Sequence, residues 1–459
     1  MQSPKKWLIL AIVSSALFLI VIDMTVLYTA LPTLTHDLHA SASEKLWIVN
    51  IYALVASGLL LGMGTLGDKL GHKPLFISGL LVFGAASLFA AYSPTPSMLI
   101  AARALLAIGA AMMMPATLSI IRLTFTDERE RALAIGIWAA VASGGAAFGP
   151  IMGGILLEYF WWGSVFLINV PVVLLALITG ITVIPHRPGN ASQRWDFIGS
   201  LLIMIGLIGI TYAIKELGKR APSYEDALIA LLIGMAFITL FVQRQRNSKH
   251  PLVDFSLFRL RPFSAAVAAA IVAAAALIGM ELAFTQRLQL VVGLSPLQAG
   301  LFILPLSLAS FISGPLTGKI LPRVNSGTML AAGLLISGLG MGSYLLLHNA
   351  SIIIQVISLT VIGAGVGSTM TAASSTIMQV APAAKAGMAA SIEEVSYELG
   401  GATGVMLMGS LLSFAYSASF MLPDGFSAPD TATLILLLTS AFVWTTRHKK
   451  QQRNQAADA

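Results

Sequence analysis

Three carboxylates crowd into "AASIEEVSYELGGATGVMLMGSLLS", residues 389–413, a stretch that is otherwise apolar and rich in glycine. Glu393, Glu394 and Glu398 are three of only 20 acids in the chain. Acids inside such a segment are costly and tend to line a pathway for ions or substrate. Glu394 and Glu398 share one helical face at i, i+4, and Glu393 is turned from them by about 100°. A second account is a capping box, since Ser391 and Glu394 fit S-x-x-E and would start a helix there. It puts Glu393 and Glu394 near the interface but leaves Glu398 unexplained. Counted from Lys385, Glu398 lies roughly 20 Å along the helix, close to a membrane midplane. Arg103 is a basic residue set among apolar ones; alone at depth it costs at least about 2.5 kcal/mol, so it needs a carboxylate or backbone oxygens. One role for it is to hold two helices together. Asp23, roughly 24 Å along its helix from Trp7, has Thr25, a backbone group or Arg103 as possible partners. Glu281 is either a pathway residue or one near the outer interface.

The elements that must position these groups are apolar helices. Of the 459 residues 57% are hydrophobic and 10% charged, with a mean hydropathy of +0.85. That is far fewer charges than the roughly 25% of a soluble domain. Windows of about twenty apolar residues, enough to cross roughly 30 Å of hydrocarbon, recur along the chain. They predict about fourteen spans: 7–31, 47–66, 75–93, 98–121, 133–157, 164–184, 197–214, 226–243, 263–285, 298–318, 328–347, 351–376, 387–414 and 430–446. An even number puts both termini on one side. Most lysines and arginines fall in the connectors on that side, and the opposite loops hold only Lys45, Lys215, Lys219, Arg220 and Arg287. The positive-inside rule therefore predicts cytoplasmic termini. The pI of 9.6 reports topology rather than nucleic-acid binding. Trp7, Trp47, Trp161, Trp162 and Trp444 sit at span ends as interfacial anchors. The absence of cysteine excludes disulfides, thiolate metal sites and cysteine nucleophiles. The seven histidines show no metal-ligand spacing. "GPLTGK" at 314 lacks a spacer and the Ser/Thr of a phosphate loop, so no ATP site, cofactor or enzyme activity is expected. The first apolar stretch is long enough to remain as a span rather than be cleaved as a signal peptide.

The halves echo each other. "GTLGDKLGHK" at 64–73 aligns with "GPLTGKILPR" at 314–323, "AIGAAMM" at 107 with "VIGAGVG" at 361, and "GGAAFG" at 144 with "GGATGV" at 400. Three matches in one order indicate a duplicated six-helix unit: 1–186 as an N-terminal bundle, 251–459 as a C-terminal one, and 187–250 as two inserted helices. Parallel repeats of this kind place a substrate site near the midplane between them.

Two motifs sit at helix junctions. In "GTLGDKLGHKPL", Gly64, Gly67 and Gly71 accompany Asp68, Lys69 and Lys73. The pattern resembles the 2–3 loop of the major facilitator superfamily, with His72 where that family has arginine. The resemblance implies that Asp68 faces the positive N-terminal end of span 13. "GAAFGPIMGG" carries Gly145, Gly149, Pro150, Gly153 and Gly154 and is similar to the antiporter motif of the superfamily's exporters. Small residues at that spacing let helices approach closely, and Pro150 bends the helix. "LFLIVIDMTVLYTALPTL" around Asp23, "WGSVFLINVP", "DFIG" and "LQLVVGLSPLQAGL" resemble the fourteen-span drug/proton antiporter branch. The 389–413 stretch resembles span 13 of quaternary-ammonium and dye efflux pumps. Arg103 matches the superfamily's fourth-span arginine, with an implied role in proton transfer.

The resemblance implies an all-α integral membrane protein of the major facilitator fold. It implies a monomeric, multi-pass protein of a bacterial cytoplasmic membrane, embedded in lipid, that exports lipophilic cationic small molecules in exchange for protons. Alternatives are export of a metabolite or antibiotic made by the host, or a membrane sensor on a transporter-like scaffold.

Overall fold

A computed structural model describes residues 3–190, 195–217, 223–248, 251–286, 288, 293–294, 296–347 and 351–418. The described residues are helical with short connections, and no strand occurs among them. The helices are α1 (Ser3–Asp37), α2 (Ala42–Leu70), α3 (His72–Ala91), α4 (Pro96–Thr124), α5 (Glu128–Tyr159), α6 (Ser164–Leu167), α7 (Asn169–Val183), α8 (Phe197–Leu217), α9 (Tyr224–Asn247), α10 (Arg261–Gln286), α11 (Pro296–Ile320), α12 (Ser326–Leu346), α13 (Ile352–Val380) and α14 (Ala386–Ala418). Thirteen of the fourteen expected spans fall on these helices, α6 and α7 together forming the sixth. The expected span at 430–446 lies outside the described residues. Among the described residues, eleven helices are long and apolar enough to cross a membrane, or twelve when the two arms of α5 are counted as one span. Those arms bend by 44° between Ala146 and Ile151, where Pro150 removes a backbone donor.

The helix starts follow from local chemistry. Ser41 and Glu44 form a capping box at α2, Thr95 caps α4 ahead of Pro96, and Asp127 accepts from the Glu130 N–H at the start of α5. Asp196 of "DFIG" accepts from the Gly199 N–H at 2.9 Å and also takes a two-pronged contact from Arg244. It thereby ties the start of α8 to the end of α9.

Glycine decides which helices touch. A Cβ on Gly145 would lie 3.1 Å from Val21, one on Gly149 1.8 Å from Thr25 Oγ1, and one on Gly153 3.1 Å from Thr29. The three therefore form a seam against α1, whereas Gly154 has nothing within 4 Å and takes no part in it. Two helix pairs meet in a reciprocal way. Gly64 on α2 faces the Gly387 carbonyl on α14, and Gly314 on α11 faces the Gly136 carbonyl on α5. Gly71, at φ +100° and with the Arg187 carbonyl 2.7 Å from any Cβ, makes the tight α2–α3 turn that only glycine tolerates.

Candidate transport site

Arg103, 2% exposed, and Asp23, also 2%, form an ion pair at 2.6 Å between α4 and α1. Of the partners open to Asp23 in the sequence, Arg103 is the one it takes; Thr25 instead donates to carbonyls one turn back in its own helix. The Arg103 Nε reaches the Ile48 carbonyl at 3.4 Å, and its guanidinium lies 4.7 Å from the Tyr52 ring centroid. Asn169, at the start of α7, donates to Asp23 Oδ1 and to Ser87 Oγ, both at 3.2 Å. Five helices thus meet around one charge pair. Asn169, Ser87 and Tyr52 are additions to the sequence reading. An asparagine inside the apolar "FLINVP" is the signal that points to the first of them.

The glutamates lie well inside α14. This helix begins at Ala386, after a 3-10 turn at Ala383–Lys385, and not at Ser391. Ser391 Oγ donates back to the Gly387 carbonyl at 2.9 Å, as an interior residue does. The capping box is therefore absent, because the turn before Ala386 starts the helix five residues early. Glu394 and Glu398 stand roughly 12 Å and 18 Å from the helix start. Glu393 and Glu394 are 0% and 2% exposed, and Glu398 is half-buried. Glu393 Oε1 accepts from Ser374 Oγ of α13 and from Tyr397 OH at 3.1 Å. Glu393 Oε2 and Glu394 Oε1 have no hydrogen-bond partner among the described residues, and neither does the Tyr52 hydroxyl. Tyr52 on α2 covers Arg103, and α2 also packs along α14, so one helix touches both the ion pair and the helix that carries the glutamates. Ser374 and Tyr397 carry no motif; Tyr397 follows Glu393 by four residues, which is the one hint available. Glu281 is exposed on α10 and has no hydrogen bond or ion pair among the described residues. The structure does not bring it to the other acids.

At the end of the bundle that carries the basic connectors, Asp68 accepts from the Gly387 N–H at 2.9 Å and the Met388 N–H at 3.0 Å. These are the first free donors of α14, where the helix dipole favours an anion. Lys73 donates to the Ile181 and Ile184 carbonyls at 2.7 and 2.6 Å, closing the far end of α7. Arg122 donates to the Ala381 carbonyl at 2.5 Å, Gln379 to Glu128, and Lys385 pairs with Asp254 at 2.6 Å. Burial pushes the Asp254 carboxyl up, but the Lys385 ammonium and the Ser256 donors outweigh it and hold it at about 2. The contacts of Asp68, Arg122 and Gln379 clamp α13 and α14 onto α2, α4 and α5 at this one end, and Lys385 ties the start of α14 to the connector before α10. No group of three or more potential metal ligands occurs among the described residues.

Residues 13–405 match the Major Facilitator Superfamily. The chain belongs to that superfamily. It is 42% identical over 429 residues to the methyl viologen resistance protein SmvA of Salmonella typhimurium, covering 93% of this chain and 87% of that one. It is 38% identical over 428 residues to the multidrug efflux pump LfrA of Mycolicibacterium smegmatis, covering 93% and 85%. The human organic anion transporter MFSD10 shares the fold, with a TM-score of 0.72 at 13% identity, covering 95% of this chain and 99% of that one. The superfamily fold expected from the sequence is thus present, and the protein is a multi-pass membrane protein.

Proposed function

We propose that the protein is a proton-coupled antiporter that exports lipophilic cations across a bacterial cytoplasmic membrane, with its basic end in the cytoplasm. The observation that carries this reading is the column of Glu393, Glu394 and Glu398 inside α14, two of them fully buried and holding oxygens without partners. Such an oxygen is open to a proton or, when ionised, to a cation. Proton and cation then compete for the same charge, and each biases the open or closed arrangement by its differential affinity. The relatives named for methyl viologen resistance and multidrug efflux support the same reading. Methyl viologen carries two positive centres, which suits more than one carboxylate. Asp23 and Arg103 supply a second ionisable group in the other half. Residues 1–186 and 251–459 act as the two moving bundles, with 187–250 inserted between them. The seam of Gly145, Gly149 and Gly153 against α1 keeps the first bundle rigid as it moves. Glu281 forms an outer approach to the site.

A second reading, export of a metabolite or antibiotic made by the host, draws on relatives at about 30% identity named for puromycin resistance and for tetracenomycin C resistance and export. The buried acids favour the cation. Energised cells expressing the protein should accumulate less of an ethidium-like dye, and a protonophore should abolish the difference. Extrusion that survives the protonophore would remove the proton from the account.

A further inference from the structure

Glu393 differs from Glu394 and Glu398 in what surrounds it. It shares a face of α14 with Tyr397 at i, i+4, and that face meets Ser374 of α13. Glu394 and Glu398 lie on a face turned from it by about 100°. Glu393 and Ser374 are both fully buried. Glu393 Oε1, Ser374 Oγ and Tyr397 OH form a closed triangle. Ser374 donates to Oε1, Tyr397 OH stands 3.1 Å from Oε1, and the two hydroxyl oxygens are 3.1 Å apart. Glu393 Oε2 is buried with no partner among the described residues.

The three oxygens make three contacts, and each hydroxyl brings a single hydrogen. With Glu393 ionised, both hydrogens go to Oε1 as charge-assisted bonds, and the contact between the hydroxyls holds none. With a proton on Oε1, three hydrogens fill three contacts, and each oxygen donates once and accepts once. Oε2 is then a neutral carbonyl oxygen rather than part of a buried charge, which lowers the cost of leaving it unpaired. The triangle therefore suits both states of the acid by turning two hydroxyls, with no heavy atom moved. Other titratable groups on the helices around α14 are engaged or lie elsewhere. α13 has no acid or base between Ile352 and Val380. Asp68 of α2 is held at Gly387 and Met388, Arg103 of α4 by Asp23, Arg122 by the Ala381 carbonyl, and Lys385 by Asp254. On α2, Tyr52 covers Arg103, and Glu44, Lys45 and Lys69 stand near the helix ends. α10 has Arg261 at its first residue and Glu281 past the point where Gly279 meets Gly404, and the titratable residues of α8 begin at Tyr212, in its second half. The acid beside Glu393 is Glu394, the next residue.

We propose that Ser374 and Tyr397 are positioning residues that reserve Glu393 for the proton and leave Glu394 and Glu398 to the cation. The two hydroxyls supply the donors that a carboxylate needs out of water, and they accept from the acid when it is neutral. They also occupy the oxygen that a cation would otherwise approach. A cation docked at Glu394 sets a positive charge beside Glu393 and favours departure of its proton, which couples the two through adjacent residues. This deepens the antiport reading and rests on it for the use made of the proton.

Infrared difference spectra of the purified protein between acidic and alkaline buffer test the pair without transport. The protonated-carboxyl band present in wild type and missing in Glu393→Gln belongs to Glu393. It should vanish in alkaline buffer in wild type and in Ser374→Thr, which keeps a hydroxyl. In Ser374→Ala/Tyr397→Phe protein it should no longer change between the two buffers, because a carboxylate without a donor is uncompensated out of water. Tyr397→Phe alone, which keeps the ring and its packing, should reduce the change, so the pair stays testable where the double variant does not fold. Methyl viologen should still bind Glu393→Gln protein, and the protons it releases from the double variant should fall to the Glu393→Gln level. A Glu393 band that is absent or unchanging in wild type, or that changes equally without the two hydroxyls, overturns the proposal. So does loss of methyl viologen binding in Glu393→Gln, or proton release that persists undiminished in the double variant. If the band behaves as expected while wild-type protein releases no proton to a bound cation, the antiport reading fails and the role of the pair at Glu393 stands.

Discussion

Replacing Asp23 by asparagine keeps its volume and removes the charge beside Arg103. Both side chains are essentially out of solvent, 0% and 2% exposed. Breaking such a pair by removing one partner costs about 3–5 kcal/mol, most of it from stranding the other charge. Arg103 retains the Ile48 carbonyl and the Tyr52 ring face, so the lower end applies, roughly 3 kcal/mol. That is more than a hundredfold in the folding equilibrium, at about 1.4 kcal/mol per factor of ten. Arg103→Met strands the carboxylate with Asn169 as its remaining donor and should cost a similar amount. The double variant strands neither charge and should recover most of the loss, a coupling on the order of 2–3 kcal/mol. Unfolding midpoints in detergent measure the stability cycle, and dye efflux at matched expression measures function. A pair that only joins helices regains both in the double variant. The account expects the double variant to regain stability and not transport, because Asp23 is also one of its ionisable groups. Wild-type midpoints for both single variants would refute the reasoning about the buried pair, and full transport in the double variant would remove Asp23 and Arg103 from the pathway.

Asp68→Asn can accept from one of the two α14 N–H groups and leaves the other without its anion, a loss of about 1.5–3 kcal/mol for a hydrogen bond to a charged group. Transport should slow with little change in equilibrium substrate binding, and an unchanged turnover would show the loop to be an ordinary turn. Glu398→Gln should express normally and lose efflux of dications more than of monocations; equal efflux of both would remove Glu398 from the cation site. Gly149→Ala drives a methyl onto Thr25 and should cost about 1–3 kcal/mol by overpacking, whereas Gly154→Ala should be near neutral, as compared by unfolding midpoints. The Lys385–Asp254 pair has side chains 38% and 22% exposed and contributes at most about 1 kcal/mol. The Asp254 carboxyl is held below its ordinary value, so this contribution is complete above about pH 4 and decays as pH falls through about 2. Asp254→Asn should therefore leave the pH dependence of stability between pH 5 and 8 unchanged, which a titration of the midpoint checks.

Much of this arrangement is legible in the sequence because lipid constrains it strongly. Apolar runs locate the helices, and the glycine spacing in "GAAFGPIMGG" marks a close helix contact, although not that Gly154 lies off it. The expected span at 387–414 starts within a residue of α14, whereas the competing cap at S-x-x-E fails because the helix is set by a 3-10 turn upstream and by the anion of Asp68 across the bundle. The polar groups around the acids are mostly hidden. Ser87, Ser374 and Tyr52 follow no local pattern, Asn169 shows only as an amide within "FLINVP", and their roles come from positions 19 to 146 residues apart meeting at depth. The choice of Arg103 as the partner of Asp23 is a tertiary fact of the same kind.

The central claim is exchange of a cation for a proton at acids inside the bundle. Purified protein in liposomes loaded at acidic pH and diluted into neutral buffer containing a dicationic dye tests it most directly, with no nucleotide present. The account predicts dye accumulation inside as protons leave, loss of that accumulation with a protonophore or without the gradient, and a sharp reduction in Glu394→Gln or Glu398→Gln protein. Dye uptake of the same extent without a pH gradient, or uptake unchanged in both glutamate variants, would contradict it.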